Sequence, residues 1–453
     1  MKLNKLAFLF ILLLLPVLLT GCSKIFPTPF GNNTGGNENS EDPGDITDTP
    51  ADTPADTPVP TVTEIPSVAT EIPSAETSGS GTTLPSDTDT TSGQGGSSDP
   101  DSSSGQNGNS DSGSSADSYK TRAEEFLSHM TLEEKVGQMF FVRLRKDSAA
   151  ADLKDYCLGG YILFGDDFKN ETKASIKDLL SEYQDLSSIP LLIGVDEEGG
   201  TVNRVSKYSA FRSEPFKSPQ DLYKAGGFEA IQTDTKEKAE LLLDLGINVN
   251  LAPVSDVSTD AADFIYKRAF GKDAKATANY VKTVILAMNR AHIGSTLKHF
   301  PGYGNNVDTH TGVATDNREY DQFLKNDFLP FQAGIEAGAD SILVSHNIVT
   351  SMDKKYPASL SSAVHEILRD TLKYEGVIMT DDLSMDAIKK YTSDNEAAVL
   401  AIQAGNDLLI ATDFDTQIPA VLEAVKSGKI KEDRLDASVI RILMWKLKLG
   451  ILQ

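Results

Sequence analysis

From residue 118 onwards, short apolar runs alternate with longer amphipathic stretches. The runs are continuously hydrophobic, which is typical of strands buried on both faces of a parallel sheet. Eight runs are predicted as strands, at 139–144, 160–164, 191–195, 249–254, 293–297, 341–344, 377–379 and 407–410. Helices are predicted between them, for example at 175–186, 230–245, 275–291, 328–337, 363–373 and 396–404. Thr131-Leu-Glu-Glu134 has the pattern of a capping box and predicts a further helix start before the first strand.

This strict alternation predicts an α/β fold with a parallel sheet. Eight units favour a single (β/α)8 barrel over a doubly wound sheet. Polar or ionisable residues follow six of the eight predicted strands, beginning at Gly165, Asp196, Ser255, Lys298, His346 and Asp381. A barrel gathers such residues around one rim, whereas a doubly wound sheet concentrates them at one crevice. No glycine-rich phosphate loop follows the first strand, so we expect no nucleotide cofactor.

The first 22 residues have the pattern of a lipoprotein export signal. A short basic region with Lys2 and Lys5 precedes an apolar stretch at 6–19, which is too short for a comfortable membrane span. Leu19-Thr-Gly-Cys22 then resembles the bacterial lipobox, in which the cysteine is lipidated. An ordinary signal peptide with a chance cysteine is the alternative. We expect a signal peptide at 1–21, lipidation at Cys22 and a location on the outer side of a bacterial membrane.

Residues 22–117 are predicted to be a disordered tether. They are rich in Ser, Thr, Pro, Gly and Asp, and from residue 23 they hold sixteen of the chain's 66 acidic side chains but only one lysine, Lys24. Such a segment cannot bury enough apolar surface to offset the entropy of ordering. The catalytic barrel is therefore predicted at 118–453.

Composition narrows the choice of partner. The formal net charge of −24 argues against nucleic acid, because phosphate binding needs clustered Lys and Arg. Two cysteines cannot form a disulfide framework, and the six histidines form no cluster with zinc-ligand spacing. We therefore expect no metal and no cofactor, and a monomer that binds the membrane only through its lipid.

The segment Lys298-His-Phe-Pro-Gly-Tyr-Gly304, followed by Asp308-Thr-His310, resembles the signature of glycoside hydrolase family 3. More narrowly it resembles the family's exo-acting β-N-acetylglucosaminidases. Further blocks match in the same order, at 196–200 with Arg204, 252–256, 267–271, 357–361 and 379–385. The resemblance covers residues 120–453 and implies a barrel, in agreement with the pattern above. Position 303 departs from it, because Tyr stands where His or another polar residue is common.

Retaining glycosidases need a carboxylate nucleophile and an acid/base beside the leaving oxygen. The resemblance implies that Asp381 is the nucleophile, with Asp382 the runner-up. It also implies that His310, oriented by Asp308, is the acid/base. Many family members take a Glu from a second domain instead, but we expect none here because the chain ends at Gln453, soon after the eighth predicted strand.

The same resemblance implies that the terminal sugar is held by Asp196, Arg204, Arg268, Lys298 and His299. An ion-pair network that closes the barrel top is the alternative for both arginines. Asp256 and His346 are equally well interpreted as supporting residues, and Glu197 and Glu198 as structural partners. Exposed aromatic platforms are few, which favours a small pocket that removes one terminal sugar. Trp445 is predicted to lie in the core, and Tyr161, Tyr266 and Tyr303 are candidate stacking residues.

These observations together predict a retaining exo-β-N-acetylglucosaminidase that acts on cell-wall fragments, and thus in peptidoglycan turnover, or on other N-acetylglucosaminides. Three alternatives stay open. The first is another family 3 β-glycosidase, such as a β-glucosidase. The second is an N-acetylglucosaminide phosphorylase, since a histidine acid/base would not repel phosphate. The third, a non-catalytic carbohydrate-binding lipoprotein, is disfavoured by the presence of both Asp381 and the Asp308–His310 pair.

Overall fold

The computed structural model describes residues 112–306 and 314–453 and contains the predicted barrel of parallel strands. Within this part of the chain the barrel strands are β1 (Phe140–Arg143), β2 (Gly160–Leu163), β3 (Leu192–Val195), β4 (Val249–Asn250), β5 (Gly294–Phe300), β6 (Ser341–Val344), β7 (Val377–Thr380) and β8 (Leu409–Ala411). Each coincides with one of the eight apolar runs, so the predicted (β/α)8 fold is confirmed.

The strands form one sheet in the order β7-β6-β5-β4-β3-β2-β1-β8, and every neighbouring pair is parallel. An isolated parallel bridge between Met379 and Leu408 brings β7 beside β8 and closes the barrel. Each strand is followed by a crossover that runs over the outside of the sheet, as parallel pairing requires. The carboxyl ends of all the strands therefore meet at one rim.

The α-helices of the described residues are α1 (Ser112–Ser128), α2 (Leu132–Gln138), α3 (Ala149–Tyr156), α4 (Lys173–Leu186), α5 (Pro219–Asp244), α6 (Ala274–Ala291), α7 (Tyr320–Gln322), α8 (Phe328–Glu336), α9 (Ser362–Glu366), α10 (Asp386–Lys389), α11 (Asp394–Ala404), α12 (Phe414–Lys426) and α13 (Glu432–Lys448). Single π-helical turns continue α7 at Phe323–Asp327 and α9 at Ile367–Thr371. None of these helices is long and apolar enough to cross a membrane.

Local chemistry explains where these helices begin. The capping box at Thr131 is present, since its hydroxyl accepts from Glu134 N at 3.2 Å and the Glu134 carboxylate accepts from Thr131 N at 2.8 Å. Helix α5 begins with Ser218 as N-cap and Pro219 in the first turn, and it bends at Gly226 and Gly227, whose backbone is not helical. Helix α1 begins at Ser112, inside the stretch assigned above to the tether.

Side chains from both faces of the strands and the inner faces of the helices form one large core. Gly334 lets α8 approach β5 closely, because a Cβ there would lie 2.6 Å from a methyl carbon of Leu297. Trp445 on α13 is 3% exposed and lies in this core, as predicted. The helices thus hold the strands rigidly, and the loops at their carboxyl ends are left to carry the chemistry.

Candidate active site

A cavity of about 440 Å³ opens at the carboxyl ends of the strands. Asp381 lies on its wall, and so do all five residues predicted to bind sugar: Asp196, Arg204, Arg268, Lys298 and His299. A larger cavity of about 610 Å³ lies at the opposite end, between α1, α13 and the turns that lead into β5, β6 and β7. We place the functional site in the smaller cavity, because Asp381 and the five predicted sugar-binding residues converge there.

Lys298 lies at the centre of the buried part of this cavity. It is 2% exposed, and its Nζ lies 2.6 Å from Asp196 Oδ1 and 2.7 Å from Glu198 Oε1. Burial alone lowers the pKa of Lys298, but the two carboxylates outweigh it and raise that pKa above its ordinary value. Lys298 is therefore a fixed cation that holds two carboxylates in place.

Glu198 joins this cation to a second one. Arg268 donates from Nε and Nη2 to the two oxygens of Glu198, at 3.0 and 2.8 Å. Burial alone raises the pKa of Glu198, but the charges of Arg268 and Lys298 outweigh it and hold that pKa well below its ordinary value. Together with Asp196, these three side chains form a continuous ion-pair network of four residues, which is the alternative considered above for Arg268.

Glu198 is a structural partner, as predicted, but it pairs with Lys298 and Arg268 on the wall of the cavity, a place that the sequence interpretation did not assign to it. Side chains alternate in extended chain, so Asp196 and Glu198 point to one side and Glu197 to the other. Glu197 accepts from the backbone of Arg204 at 2.8 Å and of Val205 at 2.7 Å, so its predicted structural role is confirmed as well. The alternation of side chains along an extended segment was the signal in the sequence that could have distinguished the roles of the two adjacent glutamates.

Arg204 lies at the edge of the network. Its Nη2 is 3.8 Å from Asp196 Oδ2, its side chain is one-third exposed, and its guanidinium also lies over the ring of Phe164. Among residues 112–306 and 314–453, its buried Nε has no hydrogen-bond partner. Arg204 also lines the cavity, and a guanidinium that is one-third exposed there can donate to a sugar hydroxyl.

His299 is held in one tautomer by its two neighbours. Its Nε2 lies 3.1 Å from Arg268 Nη2, and its Nδ1 lies 2.8 Å from Asp256 Oδ2. Because a guanidinium only donates, Nε2 accepts, and Nδ1 carries the proton that is donated to Asp256. Asp256 is 1% exposed and also accepts from the backbone N of His299 and of Tyr303. It supports the site from behind and does not line the cavity.

Asp381 and Asp382 follow β7 directly but have different surroundings. Both residues line the cavity, and Asp381 Oδ1 accepts from Asp382 N at 2.9 Å. Asp382 uses both carboxylate oxygens within the protein, accepting from Ser384 N and from the Thr412 hydroxyl, each at 2.9 Å. Asp382 is therefore occupied in shaping the turn after β7, which favours Asp381 as the reactive carboxylate.

His346, the other uncertain residue, is a structural one. It is fully buried, with Nδ1 2.7 Å from the Ser359 hydroxyl and Nε2 3.0 Å from the backbone oxygen of Asp382. It therefore ties the turn after β6 to the turn after β7. Two of the candidate stacking residues are also buried, since Tyr161 donates to Ala149 O at 2.9 Å and Tyr303 is 1% exposed. Those two stacking predictions were wrong.

The predicted dyad, Asp308 and His310, and the predicted lipidation site, Cys22, lie outside the described residues. The residues on both sides of the dyad segment are joined by a polar network. Asn306 donates to Asp316 at 2.8 Å, and Arg318 donates to Asp316, to Asp327 and to the backbone oxygen of Gly302. Within the described residues, no group of three or more His, Cys, Asp or Glu side chains is arranged to hold a metal ion.

A family model described as "Glycosyl hydrolase family 3 N terminal domain" matches residues 131–445. A β-hexosaminidase of Nitrosomonas eutropha is 32% identical over 265 residues, which cover 57% of this chain and 75% of that protein. The β-hexosaminidase LpqI of Mycobacterium tuberculosis is 30% identical over 327 residues, which cover 69% and 82% of the two chains.

A solved family 3 β-N-acetylglucosaminidase from Paenibacillus sp. superposes with a TM-score of 0.67 at 30% identity. The superposition covers 71% of this chain and 63% of that one, so this chain spans less than two thirds of the Paenibacillus protein.

Proposed function

On the premise that the chain belongs to glycosyl hydrolase family 3 and is a glycoside hydrolase, we propose that it is a retaining exo-β-N-acetylglucosaminidase. One observation carries the proposal: Asp381 and five sugar-binding candidates line a single cavity at the carboxyl rim of the barrel. The β-hexosaminidase relatives support the choice of an N-acetylated hexose.

In this mechanism Asp381 is the nucleophile. Its carboxylate attacks the anomeric carbon while the bond to the leaving oxygen breaks, and a covalent glycosyl–enzyme intermediate forms. Water then attacks the same carbon from the opposite side and releases both the sugar and Asp381. Asp382 is not required as an acid, since the turn after β7 uses both of its oxygens.

The proton for the leaving oxygen comes, in our proposal, from His310. An imidazole is suited to this task because its ordinary pKa lies near neutrality, so it can donate a proton in the first step and remove one from water in the second. Asp308 would accept from the other ring nitrogen and stabilise the imidazolium. His299 is unsuited to the role, since Arg268 and Asp256 occupy both of its ring nitrogens.

The ion-pair network binds the terminal sugar. Asp196 can accept from sugar hydroxyls on the side that faces the cavity, while Lys298 and Arg204 donate to hydroxyl oxygens. The network fixes these groups before the substrate arrives, so little rotamer freedom is lost on binding. The cavity of about 440 Å³ is of the size that encloses one or two sugar rings, which fits removal of a single terminal unit.

We further propose that the enzyme is anchored outside the bacterial membrane through lipidated Cys22. Residues 22–117 act as a tether, and cell-wall fragments ending in N-acetylglucosamine supply the substrate. The lipobox pattern and the composition of the tether support this location.

The decisive experiment compares hydrolysis of a chromogenic β-N-acetylglucosaminide with that of the matching β-glucoside, each with and without inorganic phosphate. We expect the N-acetylated substrate to be preferred and the free sugar to be released at the same rate in both buffers. Preference for the glucoside would favour the β-glucosidase alternative. Formation of a sugar phosphate would identify a phosphorylase.

A further inference from the structure

Phe264 is an exposed aromatic residue on the wall of the catalytic cavity. Its side chain is 39% exposed, and among the exposed large apolar residues of the described chain it is the only aromatic one. The others, Leu186, Leu243, Leu324 and Leu329, lie outside this cavity. Exposing a phenyl ring gives up the free energy of burying it, so its position at a substrate opening calls for a functional explanation.

The loop after β4 holds Phe264 in this position. The next residue, Ile265, is fully buried, so the backbone directs one apolar side chain inward and the other outward. On one side, the Ser258 hydroxyl donates to the Asp263 carboxylate at 2.7 Å. On the other, Gln220 donates to the backbone oxygen of Tyr266 at 2.7 Å. The ring is thus presented by a loop anchored on both sides, which lowers the entropy lost when a ligand binds to it.

A chain of aromatic contacts connects Phe264 to the sugar-binding residues. Its ring lies 5.9 Å from that of Tyr303, and the Tyr303 ring lies 5.2 Å from that of His299 in an edge-to-face arrangement. His299 and Tyr303 are buried, whereas Phe264 is exposed. Phe264 therefore lies further towards solvent than His299 and Tyr303, and the leaving group of a substrate held by its terminal sugar also extends towards solvent.

We propose that Phe264 binds the leaving group by stacking on the apolar face of its sugar ring. A pyranose presents axial C–H groups on one face, and these pack against an aromatic ring as apolar groups do. The inference rests on the proposed function and narrows it: the preferred substrates are oligosaccharides with a pyranose next to the terminal unit, not glycosides of small alcohols. Phe264 is then a specificity-determining residue that does not take part in bond cleavage.

The test compares kcat/KM for a β-linked disaccharide with that for the methyl β-glycoside of the same sugar. Both leaving groups are poor alkoxides, but only the disaccharide offers a ring to Phe264. Phe264→Ala should reduce kcat/KM for the disaccharide about tenfold more than for the methyl glycoside. Phe264→Trp keeps an aromatic face, so the ratio of kcat/KM for the disaccharide to kcat/KM for the methyl glycoside should stay at its wild-type value. Leu324→Ala removes a similarly exposed apolar side chain outside the cavity and serves as the matched control.

Equal losses on both substrates for Phe264→Ala would overturn the proposal, as would a Phe264→Trp variant with the same ratio as Phe264→Ala. The ratio is measured in the N-acetylglucosamine and the glucose series and interpreted in whichever series the wild-type enzyme cleaves. If the proposed function is wrong, the wild-type enzyme cleaves the glucose series in place of the N-acetylglucosamine series. If the stacking role is wrong, Phe264→Ala leaves the ratio of the two kcat/KM values unchanged.

Discussion

The Glu198 carboxylate accepts two hydrogen bonds from Arg268, at 2.8 and 3.0 Å, and lies 2.7 Å from the ammonium group of Lys298. One buried anion thus joins two cations, of which Lys298 lies on β5 and Arg268 on the loop after β4. Glu198→Gln keeps the shape but leaves an excess positive charge. Removing one partner of such a buried group costs about 3–5 kcal/mol. We expect the free energy of unfolding, measured in urea, to fall by about that much, and the KM to rise. The exposed Lys325–Asp321 pair supplies the control, since Asp321→Asn should change stability very little.

Asp381→Asn should abolish the covalent step and lower kcat by at least about 1,000-fold, with little change in stability. Asp382→Asn should instead disturb the turn after β7 and lower the melting temperature, with a smaller loss of rate, because Asp382 accepts hydrogen bonds from Ser384 and Thr412. A slowly hydrolysed fluorosugar should label the wild-type enzyme on the peptide that contains both residues. Fragment mapping that places the label on Asp382 would reverse the assignment.

His310→Ala should reduce kcat/KM for natural disaccharides by about 100- to 10,000-fold, because their leaving groups need protonation. Activated aryl glycosides should lose much less, since a phenolate leaves without help. Asp308→Ala should give the same pattern more mildly, as the imidazole is still present. A plot of log kcat/KM against leaving-group pKa separates the possibilities, and a uniform loss for every leaving group would make His310 a binding residue.

Lys446 lies fully buried on α13 and donates to Gln138 Oε1 at 2.6 Å. Burial lowers its pKa to about 7. The unfolded chain therefore binds more protons than the folded one between about pH 7 and 10, and this residue makes stability rise with pH there, by up to about 1.4 kcal/mol per unit. Lys446→Met should remove that slope and stabilise the protein most at or below pH 7. Urea unfolding at pH 6 and pH 9, with the exposed Lys429→Met as control, measures the difference. An unchanged slope in Lys446→Met would contradict this account.

Cys22→Ala should prevent lipid attachment, so the protein should leave the membrane fraction or accumulate with its signal peptide. Activity on a soluble substrate should be retained, because the predicted tether separates Cys22 from the barrel. The measurement is fractionation followed by mass determination of the N-terminus. A variant that stays in the membrane fraction after its signal peptide is removed would show that another feature anchors it.

The barrel was predictable because each buried strand is a continuous apolar run, and because polar residues repeat at the strand ends. Asp381 and the Lys298–His299 pair follow from the same rule. The place of Glu198 was missed, since two adjacent glutamates look equivalent until the direction of the extended chain separates them. Phe264 was missed for a different reason: its exposure depends on Ile265 being the residue that turns inward, where it packs in a small cluster with Val254 and Tyr303. The roles of Asp308 and His310 stay predictions.

Two cations and two carboxylates meet in the network of Lys298, Arg268, Glu198 and Asp196, so their formal charges cancel. A neutral sugar that enters the cavity brings no charge of its own, and this network adds no net charge to a wall that also carries Asp381, Asp382 and Arg204. The contacts are also buried, where dissolved salt screens charges weakly. The enzyme's affinity for an uncharged substrate should consequently be almost independent of ionic strength, which would suit the proposed location outside the membrane.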